Sequence, residues 1–181
     1  WHLETVPKDA PEEERLEALE YCINGTNATD TGLIPRMFDS QAENVAETGG
    51  AAILTEYGIC KTWQDYVDIE CETYMELCDD YLQSWVEWDY NDGAWYSDGE
   101  PNYDKVTYHV RPYARATAGT PTYMHFGSKS HEFTLEYILD LDIAGPTEIY
   151  VPSLRYPEGY EVELTEEMMW EVFDDVMYIN P

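Results

Sequence analysis

The sequence predicts two architectures in succession: a parallel α/β segment, then a small antiparallel β-sandwich. Three observations carry that expectation. Over the first part of the chain the apolar period switches between helical and strand-like, giving the order helix, strand, helix, strand, helix. That order is the grammar of a parallel sheet, open or closed. From Gly119 onward, six short runs rich in β-formers fit into about sixty residues, with Gly, Pro, Ser or Asp between them. At 181 residues, 44% hydrophobic content and six tryptophans suffice for a packed core, and no low-complexity tract argues for disorder. The boundary is placed near residue 118, dividing the chain into 1–118 and 119–181.

The first helix is read from "DAPEEERLEALEYCING". Pro11 stands near its first turn, acids follow, and Leu16, Leu19, Cys22 and Ile23 form a stripe. A polar loop leads to a short helix over Ser40–Thr48, stopped by Gly49-Gly50. "AAILTEYGIC", residues 51–60, begins as a strand of small and aliphatic residues and runs into Glu56. Thr62 and Asp65 resemble a capping box. Behind them Trp63, Tyr66, Val67, Cys71, Tyr74 and Cys78 share one helix face, with Tyr81, Leu82 and Trp85 continuing it. Asp65, Asp68, Glu72, Glu76 and Asp79 fall mostly on the opposite face, so the apolar stripe is core. "WVEWDY", Trp85–Tyr90, is the second strand, and a Gly- and Asp-rich loop leads to a short helix near Arg111–Ala118. The six β runs are "TPTYMHF", "EFTLEYIL", "TEIYVP", "YEVELT", "MWEVF" and "VMYIN".

Charge narrows the partners. The formal net charge is −29, and thirteen acids between Thr62 and Asp104 are interrupted by no Lys, Arg or His. Such a surface repels nucleic acid and anionic lipid. Solubility, a saline or acidic environment, and loose divalent-cation binding are the plain explanations, and no stretch has EF-hand spacing. No apolar run approaches the 18 residues of a membrane span. The sequence starts at Trp1 with no signal peptide, from which an upstream segment is expected.

Four cysteines, Cys22, Cys60, Cys71 and Cys78, are disulfide candidates. Cys71 and Cys78 lie two helical turns apart, roughly 10 Å, too far to bond to each other, so their partners are expected elsewhere, at Cys22 and Cys60, with the pairing left open. A zinc site is the other use of four cysteines, but no C-x-x-C is present. Asn24-Gly25-Thr26 and Asn27-Ala28-Thr29 are N-glycosylation sequons, which favour a secreted or lysosomal protein.

Glu56 is the acid that composition explains least. In a (β/α)₈ barrel, reacting groups stand where strands run out at the C-terminal face. Glu56 holds such a position, and Trp88 reaches a similar depth on the next strand, where an indole face suits a sugar ring. The bland alternative is a solvated acid at a strand end, one of 38 acids in the chain. "ILTEYG", a helix and "SWVEWDY" resemble the end of the barrel in glycoside hydrolase family 5. Val110–Phe126, Phe133–Asp140, Ala144–Pro152 and Tyr156–Tyr160 are similar to the C-terminal part of endoglycoceramidases and related glucosylceramide-cleaving enzymes. The resemblance spans roughly residues 36–165.

The resemblance implies a glycosphingolipid hydrolase without metal or organic cofactor. The nucleophilic glutamate of its T-E-[FY]-G segment falls on Glu56, and the tryptophan that lines the sugar site falls on Trp88. Tyr57 joins Trp88 as an expected substrate contact. A retaining glycosidase also needs a protonated carboxyl about 5 Å from its nucleophile. The family takes it from an Asn-Glu-Pro, which is absent; Gly99-Glu100-Pro101 lies in the wrong place, and Glu87 stands where an aromatic residue is expected. Two strand–helix units cannot close a barrel of eight. The chain therefore reads as about strands seven and eight of a TIM barrel plus the appended sandwich. An N-terminal chain of the same precursor is expected to complete the barrel as a heterodimer, non-covalent or disulfide-linked. The alternative function is a catalytically inactive, acidic secreted structural or carbohydrate-binding protein on the same scaffold.

Overall fold

The computed structural model describes residues 10–25, 32–58, 65–88, 102, 109–165 and 168–180. The chain divides into two compact units, Trp1–Lys105 and Val106–Pro181. The division comes ahead of the expected boundary near residue 118. Its cause is local: the short helix expected over Arg111–Ala118 is a strand, β3 (Tyr113–Ala116), which pairs antiparallel with β6 (Thr147–Tyr150). Those residues thus belong to the sheets that follow them. The backbone of the four residues after Pro112 pairs with β6 in place of a helix.

In the first unit α1 (Glu12–Asn24) places three acids in its first turn and buries Leu19 and Cys22. α2 spans Leu33–Thr48, a longer helix than the Ser40–Thr48 expected. Pro35 lies in its first turn, where a missing amide hydrogen leaves no intrahelical bond unmade. Gly49 ends α2 with φ +70°, and its amide donates to the Val45 carbonyl at 2.8 Å. β1 (Ile53–Gly58) and β2 (Ser84–Trp88) run parallel, joined by α3 (Asp65–Asp80). This is the expected strand–helix–strand unit.

Cys22, Ile34, Phe38 and Cys78 form the apolar cluster under the helices, with Leu54, Tyr74, Leu77, Tyr81 and Trp85 packed against it. The Tyr81 hydroxyl donates to the Asp39 carboxylate, linking the end of α3 to α2. That hydrogen bond, with burial added, pushes the Tyr81 pKa up to about 12. Asp79, expected on the solvated face of α3, is buried. The chain turns there: the Gln83 amide donates to the Cys78 carbonyl at 2.7 Å, and Leu82 takes φ +50°. The capping pair at Thr62 falls outside the described residues.

The second unit is all antiparallel. A four-stranded sheet runs in the order β3-β6-β8-β7, with β7 at Met169–Phe173 and β8 at Val176–Asn180. β4 (Gly119–Phe126) and β5 (Phe133–Leu139) make a separate hairpin. Phe133 and Leu135 of β5 pack on Ile149, Met177 and Ile179, so the hairpin covers one face of the larger sheet. Pro121 sits beside a register irregularity in β4, where a ladder amide is not required. A Cβ on Gly119 would lie 2.0 Å from the Ile138 carbonyl oxygen, so only glycine admits this approach of β4 to β5. "YEVELT" is not a strand. Its alternation is nonetheless real, because Val162 and Leu164 reach the cluster between the sheets. Alternation reports burial there, while the backbone finds no ladder.

Thr147 fixes the start of β6. Its side chain is 0% exposed, and its hydroxyl accepts the Ala118 amide at 2.9 Å. Thr147→Val keeps the shape and strands that amide, so a loss of about 1–3 kcal/mol is expected in urea unfolding. A loss below about 0.5 kcal/mol would show that the amide has another partner.

Candidate active site

The pairing of β1 and β2 decides which side chains share a face. Ile53 opposes Ser84 and Leu54 opposes Trp85, but the next partners are Tyr57 with Glu87 and Gly58 with Trp88. Three steps along β1 match two along β2, so one extra residue is accommodated at Thr55–Glu56. That is a β-bulge, a device that re-aims side chains and is frequent beside active sites. Its effect here is to put both Leu54 and Tyr57 on the helix side. Tyr57 is only 7% exposed, with its ring 5.7 Å from that of Trp85 in an edge contact and 6.2 Å from that of Tyr74.

The opposite face of the pair is bare. Ile53, Glu56, Val86 and Trp88 are all exposed, whereas Trp85 and Glu87 alternate toward the helices. Trp88 is 64% exposed and opposes Gly58 at the C-terminal ends of the parallel strands. Glu56 precedes Gly58 by two residues, so by strand alternation its carboxylate stands on the same face as the indole. An acceptor-only carboxylate and an open aromatic ring on one face are groups that a sugar could use, the ring for stacking and the carboxylate for attack or hydrogen bonding.

Of the three residues expected to carry chemistry, Glu56 and Trp88 share the bare face and Tyr57 does not. The correction follows from the bulge, which turns Tyr57 into the core. Glu87 also lies on the helix side. Ile53 and Val86, not singled out from the sequence, are apolar neighbours on the bare face; the signal was the period-2 pattern of "SWVEW". A cleft of about 510 Å³ opens between α2, Leu54 and Tyr74, on the helix side of the strands and away from Glu56. Asn24 closes α1 and is exposed, as a glycan acceptor must be, while Asn27 and Cys60 lie outside the described residues. Cys22 and Cys78 are buried, and Cys71 is disulfide-bonded. Among the described residues no group of His, Cys, Asp and Glu could hold a metal ion, and no helix is long and apolar enough to cross a membrane.

Residues 111–180 match the glycoside hydrolase family 5 C-terminal domain. Endoglycoceramidase I of Rhodococcus hoagii (strain 103S) is 40% identical over 55 residues, 30% of this chain and 11% of that protein. Endo-glycoceramidase II from Rhodococcus sp., solved as a lactosyl-enzyme intermediate, superposes with a TM-score of 0.57 at 25% identity. Residues 111–180 are thus similar to a family 5 C-terminal domain, and the chain resembles the endoglycoceramidases in fold. The superposition covers 80% of this chain but 34% of that enzyme, so the chain spans about a third of its structural relative. Sterylglucosidase 1 of Cryptococcus neoformans shares the fold, with a TM-score of 0.54 at 15% identity over 83% of this chain and 30% of that one.

Proposed function

We propose that the chain supplies the nucleophile and the C-terminal domain of a retaining glycosidase that cleaves glycosphingolipids. The observation that carries this is the placement of Glu56, lifted by a bulge onto the bare face of a parallel strand pair beside Trp88. The likeness to an enzyme captured with a lactosyl group attached supports a covalent intermediate. In the reaction, a Glu56 carboxylate oxygen attacks the anomeric carbon as the bond to the ceramide-side oxygen breaks, and a partner carboxyl protonates the leaving oxygen. That second group, as carboxylate, then takes a proton from water, whose oxygen displaces Glu56 and regenerates it.

The second carboxyl and the remaining strands come from an N-terminal chain of the same precursor. β1 and β2 form a two-stranded sheet with one apolar face uncovered, a state that a barrel interior relieves. Glycosylation at Asn24 and Asn27 and a secreted or lysosomal location belong to the same proposal. The test is covalent trapping on the assembled protein with a 2-deoxy-2-fluoro glycoside. One glycosyl group should appear on the peptide containing Glu56; turnover without label there would reject the assignment. Trp88→Ala should raise KM about fivefold with a smaller change in kcat, because stacking is worth about 1 kcal/mol in ground and transition states alike. The inactive acidic scaffold remains the competing function, favoured by the charge of −29, and an assembled protein that neither labels nor hydrolyses would select it.

A further inference from the structure

We propose that Cys22 and Cys78, which the structure holds as two buried thiols, close on oxidation into a disulfide that ties the end of α1 to the end of α3. Cys22 lies in the last turn of α1 and Cys78 in the last turn of α3, and the two helices are in contact. The two side chains are 5% and 1% exposed and belong to one apolar cluster, with Ile34 and Phe38 beside them. Cys71 is already disulfide-bonded, so it competes for neither sulfur. The Asn24-Gly25-Thr26 sequon begins two residues beyond Cys22, and the compartment that glycosylates such a sequence also oxidises thiols.

The chemistry is thiol–disulfide exchange with an oxidised dithiol oxidoreductase. One cysteine thiolate attacks the oxidant's disulfide to give a mixed disulfide. The second thiolate then attacks the protein sulfur of that bond. The new S–S bond leaves the oxidant as a dithiol holding both electrons and both protons. The loop so closed contains α2, β1 and α3, the elements that hold one face of the strand pair carrying Glu56 and Trp88. Closing a loop of that length restricts the unfolded chain and holds the helix layer together.

The experiment uses the whole protein, secreted from a eukaryotic host. It is denatured in guanidinium with iodoacetamide and no reductant, digested, and mapped by mass spectrometry. The expected product is one species linking the Cys22 and Cys78 peptides. Alkylation of both cysteines, or linkage of either to another cysteine, would overturn the proposal. A second measurement reads coupling: Cys22→Ser, Cys78→Ser and the double variant should lose the same amount of thermal stability, about 5–10 °C each. Losses that add in the double variant mean two independently packed thiols and no bond. If the variants do not fold, the peptide map of the unmodified protein decides.

Discussion

Glu56→Gln is expected to reduce glycosphingolipid hydrolysis by roughly 10³-fold or more, with the melting temperature unchanged. The substitution removes one negative charge and keeps the side-chain volume. Glu56 is exposed on the bare face of β1 with no packing role, so its effect on folding should stay within about 0.5 kcal/mol. The chemistry depends on an anionic oxygen that forms a bond to carbon and later leaves, and a neutral amide does neither well. The measurement is release of oligosaccharide from a glycosphingolipid by the assembled protein, together with a thermal melt of both forms. Unchanged turnover would remove Glu56 from the reaction. A large drop in melting temperature would give Glu56 a structural role instead. The two readouts separate chemistry from folding because the residue lies on a surface that the first unit leaves open.

Much of this arrangement was legible in the residues. Leu19, Cys22, Cys71 and Cys78 are core because a 3.6-residue period buries one side of a helix, and the alternation of "SWVEW" gave β2 one covered and one open face. What escaped was decided by pairing. Counting along β1 from Leu54 without a bulge leaves Tyr57 on the opposite face from Leu54, where substrate could reach it. The extra residue at Thr55–Glu56 is visible only in the register with β2. Likewise "RPYARATA" has helix-compatible residues, and β6 recruits four of them as a strand. Val162 and Leu164 show the reverse, a strand-like alternation whose backbone finds no neighbour. Sequence period reports which side chains are buried, and hydrogen-bond partners decide what the backbone becomes.

The same distinction explains the exposed apolar residues. β7 is an edge strand with Met169, Trp170, Val172 and Phe173 all exposed, and β1–β2 has Ile53, Val86 and Trp88 uncovered. A composition with 38 acids and nine Lys or Arg keeps such a chain in solution by self-repulsion without specifying what lies against those surfaces. The β7–β8 hairpin closes through Asp174 and Asp175, at φ +52° and +60°, a two-residue turn that matches strand twist. Two acids at the tip of that edge disfavour edge-to-edge stacking of like copies.

Phe126→Ala is expected to destabilise the second unit by about 4 kcal/mol, roughly 20 °C for a domain of this size. Phe126 ends β4, is 1% exposed, and faces Phe133 across the hairpin. Its ring carries two guanidinium groups: the Arg111 centre lies 5.2 Å from its centroid and the Arg155 centre 5.8 Å. Arg111 also donates to the Phe126 carbonyl at 3.2 Å, and Arg155 donates through Nε to the Val110 carbonyl. Both cations are therefore held by a backbone carbonyl and by the Phe126 ring. Alanine removes the face, opens a cavity and leaves buried Arg111 without its stacking partner. Phe126→Leu separates these effects, since it keeps most of the volume but has no quadrupole. It should cost less than half as much if filling the cavity dominates, and nearly as much if the cation–π contacts do. Differential scanning calorimetry of the two variants against the unmodified protein measures both. A shift under about 5 °C for alanine would mean that the site collapses around the smaller side chain, and that Phe126 is not the keystone between Arg111 and Arg155.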